Sequence, residues 1–194
     1  MTDLVTILGP IGSGKSTLAE LLAESVREAG LAVASVDVDD VLAMLSAPLE
    51  QFAESWERVR RVHGSLVGAW VRSGIDVVIA HGPIFTPAET EAFEAGLPVG
   101  TRTRRILLTA PFGVALDRVS ADQTRGISRD PQFLHSTYER FDRLLPDIPP
   151  CDWSFDTSTV TAAEIVTALE TLLVEAVPTT STYQPPAPDL HPKS

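Results

Sequence analysis

The sequence predicts an α/β protein in which helices cover both faces of a five-stranded parallel sheet, a three-layer sandwich. Short runs rich in Val, Ile and Leu alternate about five times with longer segments of helical periodicity. Most of these runs are nearly all apolar, as expected of parallel strands that are buried on both faces. A length of 194 residues and an apolar content of 44% suit one domain with a substantial core.

The five predicted strands alternate with segments whose apolar residues recur at helical spacing. The strands are residues 4–8, 32–36, 76–80, 105–109 and 152–156. A first helix is predicted from Ser16 to Ala29 and is stopped by Gly30. A second, longer helix is predicted from Glu50 to Arg72 and is stopped by Gly74.

Two later helices have recognisable N-terminal signals. The sequence TPAE at 86–89 and the sequence TAAE at 161–164 both form the pattern of a capping box, in which a Thr and a Glu satisfy backbone N–H groups. Between them, Trp153 and Phe155 are expected to pack the last strand rather than to stack on a ligand.

Composition limits the classes of partner. The net charge of −11 and a pI near 4.7 disfavour a nucleic-acid surface, which needs clustered Lys and Arg. A single cysteine, Cys151, makes no internal disulfide, and we expect a buried, unreactive thiol rather than a nucleophile. No apolar run reaches 18 residues and no leader precedes the first strand. We therefore expect a soluble cytoplasmic protein with neither a membrane nor a nucleic-acid partner.

The stretch GPIGSGKST, residues 9–17, fits the phosphate-binding pattern G-x-x-x-x-G-K-[ST]. A predicted strand precedes it and a predicted helix follows it, which disfavours a glycine-rich turn with a coincidental Lys-Ser. Backbone N–H groups and the helix N-terminus would converge on phosphate oxygens, Lys15 would bridge the β- and γ-phosphates, and Ser16 would ligate Mg²⁺. The predicted nucleotide-binding residues here are Gly9, Gly12, Ser13, Gly14, Lys15, Ser16 and Thr17.

Three aspartates, Asp37, Asp39 and Asp40, follow the second strand. In an open α/β sheet this edge holds the ligand, so carboxylates here are placed to bind Mg²⁺ or to accept a proton from a substrate hydroxyl. As an alternative, Asp39 or Asp40 is the N-cap of the next helix.

GPIGSGKST, then DVD after the second strand, then a strand ending in HGP together resemble the small P-loop kinases. This group includes shikimate, gluconate and nucleoside monophosphate kinases and the chloramphenicol phosphotransferase. The resemblance covers roughly residues 1–176 by order of motifs and implies a P-loop NTPase (NMP-kinase-like) fold with ATP and Mg²⁺ as cofactors. It implies that Asp37 is the metal-linked or basic residue and that Asp39 binds the acceptor.

The resemblance extends to the arginine-bearing segment after the fourth strand, which such kinases use as a lid. Arg118 would lie against adenine, while Arg125 and Arg129 would close over the phosphates and neutralise developing charge. The alternative is that these arginines belong to a solvated helix end. Asp156 and Thr157, after the last strand, match the loop beside the base.

The third strand departs from these relatives, because His81-Gly82-Pro83 stands where they carry a glycine run, an Asp or an arginine motif. The acceptor site is therefore expected to be rebuilt around His81 and Gly82. His81 is interpreted either as a group that bonds or deprotonates the acceptor or as a structural histidine.

The long second helix, within residues 50–73, is the expected acceptor-binding region. Arg58, Arg61 and His63 are placed either to grip a substrate anion or to form the solvated face of that helix. Its other side would then carry Trp56, Val59 and Leu66.

Taken together, residues 1–177 are expected to form one kinase domain with a lid at about 120–131. Residues 178–194, rich in Pro and Thr, are expected to be a disordered tail. The favoured function is transfer of the γ-phosphoryl group of ATP to a hydroxyl of a small molecule, catalysed by Lys15, Asp37, Asp39, Arg125 and Arg129. A switch or slow ATPase acting through a protein partner, or an inactive nucleotide binder, is the alternative. A monomer or a homodimer is expected.

Overall fold

The computed structural model describes residues 2–45 and 52–174 and contains one sheet of five parallel strands. The strands are β1 (Asp3–Leu8), β2 (Val33–Asp37), β3 (Val77–His81), β4 (Thr103–Thr109) and β5 (Trp153–Asp156), in the spatial order β2-β3-β1-β4-β5. Strand β1 is therefore central, with the ends of β2 and β3 on one side of it and those of β4 and β5 on the other. The predicted parallel sheet is confirmed.

Helices pack on both faces of the sheet, which completes the predicted three-layer sandwich. They are α1 (Lys15–Glu28), α2 (Val38–Ala43), α3 (Phe52–Ser73), α4 (Pro87–Glu94), α5 (Phe112–Ala121), α6 (Pro131–Leu144) and α7 (Ala162–Val174). Leu18 and Leu22 of α1 meet Ile165 and Leu169 of α7 on one face. Within residues 2–45 and 52–174, no helix is both long and apolar enough to cross a membrane.

The local signals read from the sequence match the structure closely. Thr86 caps α4 and accepts a hydrogen bond from Glu89 N at 3.2 Å, and Thr161 accepts one from Glu164 N at 3.3 Å. Trp153 and Phe155 of β5 are partly buried against the core beneath α1 and α7, as expected. The predicted start of the long helix at Glu50 and the tail from residue 178 lie outside the described residues.

The predicted inner face of α3 is wrong in part, because Gly64 and Gly68 let another face of this helix pack against α4 and the residues that follow it. Val59 is buried as predicted, but Leu66 is 38% exposed. A Cβ atom at Gly64 would overlap the carbonyl oxygen of Phe93, so α3 and the C-terminal end of α4 approach backbone to backbone. This contact turns the glycine-bearing face of α3 toward α4 and leaves Leu66 facing solvent.

Replacing Gly64 by Ala should lower the free energy of unfolding by about 1–3 kcal/mol, because the added methyl group has no room beside the Phe93 carbonyl. Chemical denaturation monitored by circular dichroism measures the change. Gly113→Ala, in α5, is the matched control, since a Cβ there meets nothing within 4 Å. An equal loss in both variants would contradict the packing described for α3.

Candidate active site

The turn from β1 into α1 is shaped by glycines. Gly14 adopts a left-handed backbone with φ of 91° immediately before the first residue of α1. At Gly9 a Cβ would overlap the Leu108 carbonyl oxygen of neighbouring β4. The loop therefore lies tightly against the sheet at Gly9, where a side chain would push it away, whereas Gly14 is required by its left-handed backbone alone.

Four successive carbonyl oxygens of this loop, those of residues 10–13, accept hydrogen bonds from side chains, three of which lie outside the loop. The donors, in chain order, are Lys15 Nζ at 2.9 Å, Tyr138 Oη at 3.0 Å, Arg118 Nη1 at 3.0 Å and Thr157 Oγ1 at 3.1 Å. Burial raises the pKa of Tyr138 to about 12, so its hydroxyl keeps the donated proton at neutral pH. The loop is fixed through its carbonyl oxygens.

The N–H groups of the loop are left for another acceptor. Among the described residues, no backbone oxygen or side chain takes the N–H groups of residues 14–17. The hydroxyl of Ser13 is fully buried without a partner, and the first turn of α1 has no acidic residue. Donors without acceptors at a helix N-terminus, next to Lys15, fit a phosphate chain.

Arg118 and Thr157, predicted to lie beside adenine, have a structural function in the described protein. Arg118 donates to the Thr157 hydroxyl and carbonyl, both at 2.8 Å, and so joins α5 to the loop after β5. Asp156 accepts from Ser158 Oγ at 2.6 Å and from its N–H, and these bonds lower the pKa of the exposed Asp156 carboxyl. Adenine binding by these three residues stays a prediction.

The aspartates after β2 lie at the edge that the sequence predicts, but the N-cap is a different residue. Asp37, rather than Asp39 or Asp40, caps α2, because its Oδ1 accepts from Asp39 N at 2.9 Å. No hydrogen-bond donor among the described residues reaches the carboxylate of Asp39. Partial desolvation and then the charge of Asp37 raise the pKa of Asp39, against the opposing charge of Lys15.

His81 and Gly82 complete this edge at the end of β3. His81 is 7% exposed, and its Nδ1 lies 3.3 Å from Asp37 Oδ2. Burial lowers the pKa of His81, although the carboxylate of Asp37 opposes the shift. A Cβ at Gly82 would overlap the side chain of Val38, so this glycine allows α2 to start directly beside β3.

Sequence reasoning missed a buried ion network behind this edge. Arg60 of α3 pairs with Glu89 Oε1 at 2.9 Å, with side chains 6% and 12% exposed, and it lies over the ring of Trp56. Arg140 of α6 binds the same carboxylate at 3.0 Å. The other oxygen of Glu89 accepts from the Phe85 and Thr86 N–H groups. One carboxylate thus fixes α3, the loop after β3 and α6.

Of the three α3 residues predicted for a substrate anion, only the arginines reach solvent. Arg61 pairs with Glu57 at 2.8 Å on the exposed surface, and Arg58 is also exposed. His63 is 1% exposed and its Nε2 contacts the Val36 carbonyl at 3.1 Å, so neither interpretation of it was right. Burial lowers the pKa of His63 to about 4, which makes it a neutral core residue. Substrate binding by Arg58 and Arg61 stays a prediction.

The segment predicted as a lid connects α5 to α6. Arg125 donates to Asp122 at 3.1 Å and lies near enough to Lys15 for the two charges to interact. Arg129 is exposed in a short 3-10 turn, and Asp130 caps α6 through Gln132 N at 2.8 Å. The structure therefore brings Arg125 to the phosphate loop, while closure of the segment stays a prediction.

A central phosphate loop in a 2-3-1-4-5 parallel sheet defines the class of P-loop NTPases. Within that class the chain belongs to the AAA domain family, whose model matches residues 4–140. No curated protein matches the chain.

Solved structures that resemble the chain include several that are named as small-molecule kinases. A shikimate kinase from Acinetobacter baumannii has a TM-score of 0.58 and 20% identity, over 90% of this chain and 94% of that one. A gluconokinase from Sinorhizobium meliloti 1021 has 0.56 and 17%, over 90% and 93%. The tunicamycin resistance protein of Deinococcus radiodurans has 0.60 and 17%, over 89% and 96%. These likenesses confirm the predicted fold.

Replacing Glu89 by Gln should lower the free energy of unfolding by about 3 kcal/mol, because the buried charge of Arg60 loses its partner. Glu57→Gln removes the exposed partner of Arg61 and is expected to change the free energy of unfolding by less than about 0.5 kcal/mol. Urea denaturation of both variants compares the two pairs directly. Similar small losses would show that the Glu89 network does not hold the fold together.

The amine of Lys15 should acetylate with a midpoint near pH 8. Burial lowers its pKa from 10.5 to about 8, against the charges of Asp39 and Asp37, so the protonated amine is present below pH 8 and is lost above it. Only the neutral amine reacts, and peptide mass spectrometry gives the rate at each pH. A one-lysine peptide in the same tube reports the ordinary pKa. A Lys15 profile that coincides with the peptide's would disprove the shift.

Proposed function

We propose that this protein is an ATP-dependent phosphotransferase that moves the γ-phosphoryl group to a hydroxyl of a small molecule. One observation carries the proposal: carboxylates from the end of β2 act on the same lysine that terminates the phosphate loop. The charges of Asp39 and Asp37 both bear on the amine of Lys15. A phosphate held by that amine would thus lie beside groups able to orient and deprotonate an alcohol.

The phosphate loop supplies the binding half of the mechanism. The N–H groups of residues 14–17 and the positive end of α1 bind the phosphate chain, and Lys15 neutralises the β- and γ-phosphates. No group of three or more His, Cys, Asp or Glu in the described chain is arranged to hold a metal on its own. A Mg²⁺ ion bound by Ser16, Asp37 and phosphate oxygens would draw charge from the transferring group.

Asp39 is the base in this proposal, rather than Asp37 or His81. One oxygen of Asp37 accepts from Asp39 N at 2.9 Å, and the other, which faces His81 Nδ1 at 3.3 Å without a well-formed hydrogen bond, is assigned to Mg²⁺. Asp39 alone of the pair has a carboxylate free of hydrogen-bond donors among the described residues. Asp39 would take the acceptor's proton while the acceptor oxygen bonds to the γ-phosphorus. At the same time the bond between the γ-phosphorus and the bridging β-phosphate oxygen would break, and that oxygen would leave as part of ADP.

The segment between α5 and α6 supplies positive charge from the side of the phosphate loop opposite the aspartates. The charge of Arg125 acts on Lys15, and closure of the segment would bring its guanidinium to the γ-phosphate. Arg129 follows one turn later and would join it when the segment closes. Closure would also exclude water, which competes with the acceptor hydroxyl for the phosphoryl group.

An acceptor screen tests the proposal. The protein with Mg²⁺ and ATP is given pools of hydroxylated small molecules, and mass spectrometry records which compound gains a phosphate as ADP forms. We expect Asp39→Asn to lower kcat for that compound by about 100-fold or more, with ATP binding unchanged. Lys15→Ala is expected to abolish both binding and transfer.

The matched control for Asp39 is Asp117→Asn, which removes an exposed carboxylate from α5 and is expected to leave transfer unchanged. ADP release at one slow rate with every pool would favour a slow ATPase and reject the proposal. Full transfer by Asp39→Asn would reject the assignment of the base alone.

A further inference from the structure

The stretch that leads from β2 into α3, residues 37–57, carries acidic residues at both ends. It contains no Lys, Arg or His. Its acidic residues are Asp37, Asp39, Asp40, Glu50, Glu54 and Glu57. Among them, Asp40 is exposed on α2, and its charge reaches His81 at the end of β3. An acceptor entering on the β2–β3 side of the phosphate loop therefore meets the carboxylates of Asp37, Asp39 and Asp40.

The arginines near this side are bound to carboxylates or face away. Arg60 pairs with Glu89 at 2.9 Å, and Arg140 binds the same carboxylate at 3.0 Å. Arg61 binds a glutamate one turn earlier in α3. Arg58 stands two positions before the buried Arg60, which is about 200° around the helix, so it lies on the opposite, solvent-exposed face. The described part of α3 thus offers no unpaired cation to an acidic acceptor at this edge.

The imidazole of His81 provides an independent sign of a ligand at the same edge. It is 7% exposed, and its Nδ1 faces Asp37 at 3.3 Å without a well-formed hydrogen bond to any described residue. Buried polar atoms without partners are rare in proteins, and those that occur often face a ligand site. A polar acceptor bound between His81 and the aspartates would give this nitrogen a partner.

Resting on the proposed kinase function, we propose that the acceptor is a hydroxylated amine, whose ammonium group binds at Asp40 while its hydroxyl group lies at Asp39. The ammonium group supplies the positive charge that residues 37–57 lack. An acceptor of the same shape with a carboxylate would place its charge among the aspartates, where the two cations that act on Asp39, Lys15 and Arg125, are assigned to the phosphates. A neutral polyol is expected to bind less favourably than the amine and more favourably than the carboxylate. The site therefore selects its acceptor by charge as well as by shape.

Matched acceptors test the charge preference. Three sets share a framework and differ in charge: 2-amino-2-deoxyglucose, glucose and glucuronate; 2-deoxystreptamine, inositol and quinate; 3-aminopropane-1,2-diol, glycerol and glycerate. Each is incubated with Mg²⁺ and ATP, and kcat/KM is measured from the phosphorylated product by mass spectrometry. We expect the amine to exceed the neutral alcohol by at least about tenfold and the carboxylate to be the poorest, with the gap shrinking as salt is added.

Charge variants connect the preference to Asp40. Asp40→Asn should reduce the amine preference at least about fivefold, and Asp40→Lys should reverse it toward the carboxylate. Glu24→Gln, which removes the same charge from an exposed position on α1, is the matched control and should leave the preference unchanged.

The outcomes separate this inference from the function on which it rests. A carboxylate or neutral alcohol phosphorylated as well as the amine of its set overturns the inference and leaves the kinase function standing. An amine preference that survives Asp40→Lys overturns the role of Asp40. ADP released without a phosphorylated product in any set, or no ADP at all, overturns the proposed function and the inference with it.

Discussion

The site depends on the outward orientation of four consecutive carbonyl groups in the turn after β1. Each accepts from a side chain: Lys15 belongs to the loop itself, and Arg118, Tyr138 and Thr157 come from distant parts of the chain. In a planar trans peptide the N–H of the next residue points away from the carbonyl, so holding the Ser13 carbonyl toward Thr157 turns the Gly14 N–H the opposite way. The direction of that N–H is therefore set by the residue after β5 as well as by the glycines.

Charge is distributed unevenly along the same edge of the sheet. Lys15 lies at the centre, the aspartates follow β2 on one side, and Arg118 stands on the β4–β5 side. Glu89 lies behind the acidic half and gathers two arginines and two backbone N–H groups around one carboxylate. Such a buried group has a preferred geometry, because leaving any partner unpaired is unfavourable. It fixes the loop after β3 relative to two helices.

Features that depend on neighbouring residues could be predicted from the sequence, and features that depend on distant contacts could not. The phosphate loop, the five strands and the capping box at Thr86 follow from local patterns. The face of α3 does not, because Gly64 is drawn toward the Phe93 carbonyl in another helix. Glycines four positions apart, Gly64 and Gly68, were the available signal. In the sequence Arg60 cannot be told from the exposed arginines beside it, because its burial depends on the ion pair with the distant Glu89.

The segment from Asp122 to Asp130 has both ends fixed, since Val119 before it and Leu134 after it are buried. These nine residues span at most about 30 Å when fully extended, so the middle of the segment reaches no more than about 15 Å from the line between its ends. As the proposed lid, a segment of this length would reach over a small molecule and a nucleotide's phosphates, whereas a folded macromolecule would hold it open. The length of this one connection would thus limit the size of the acceptor.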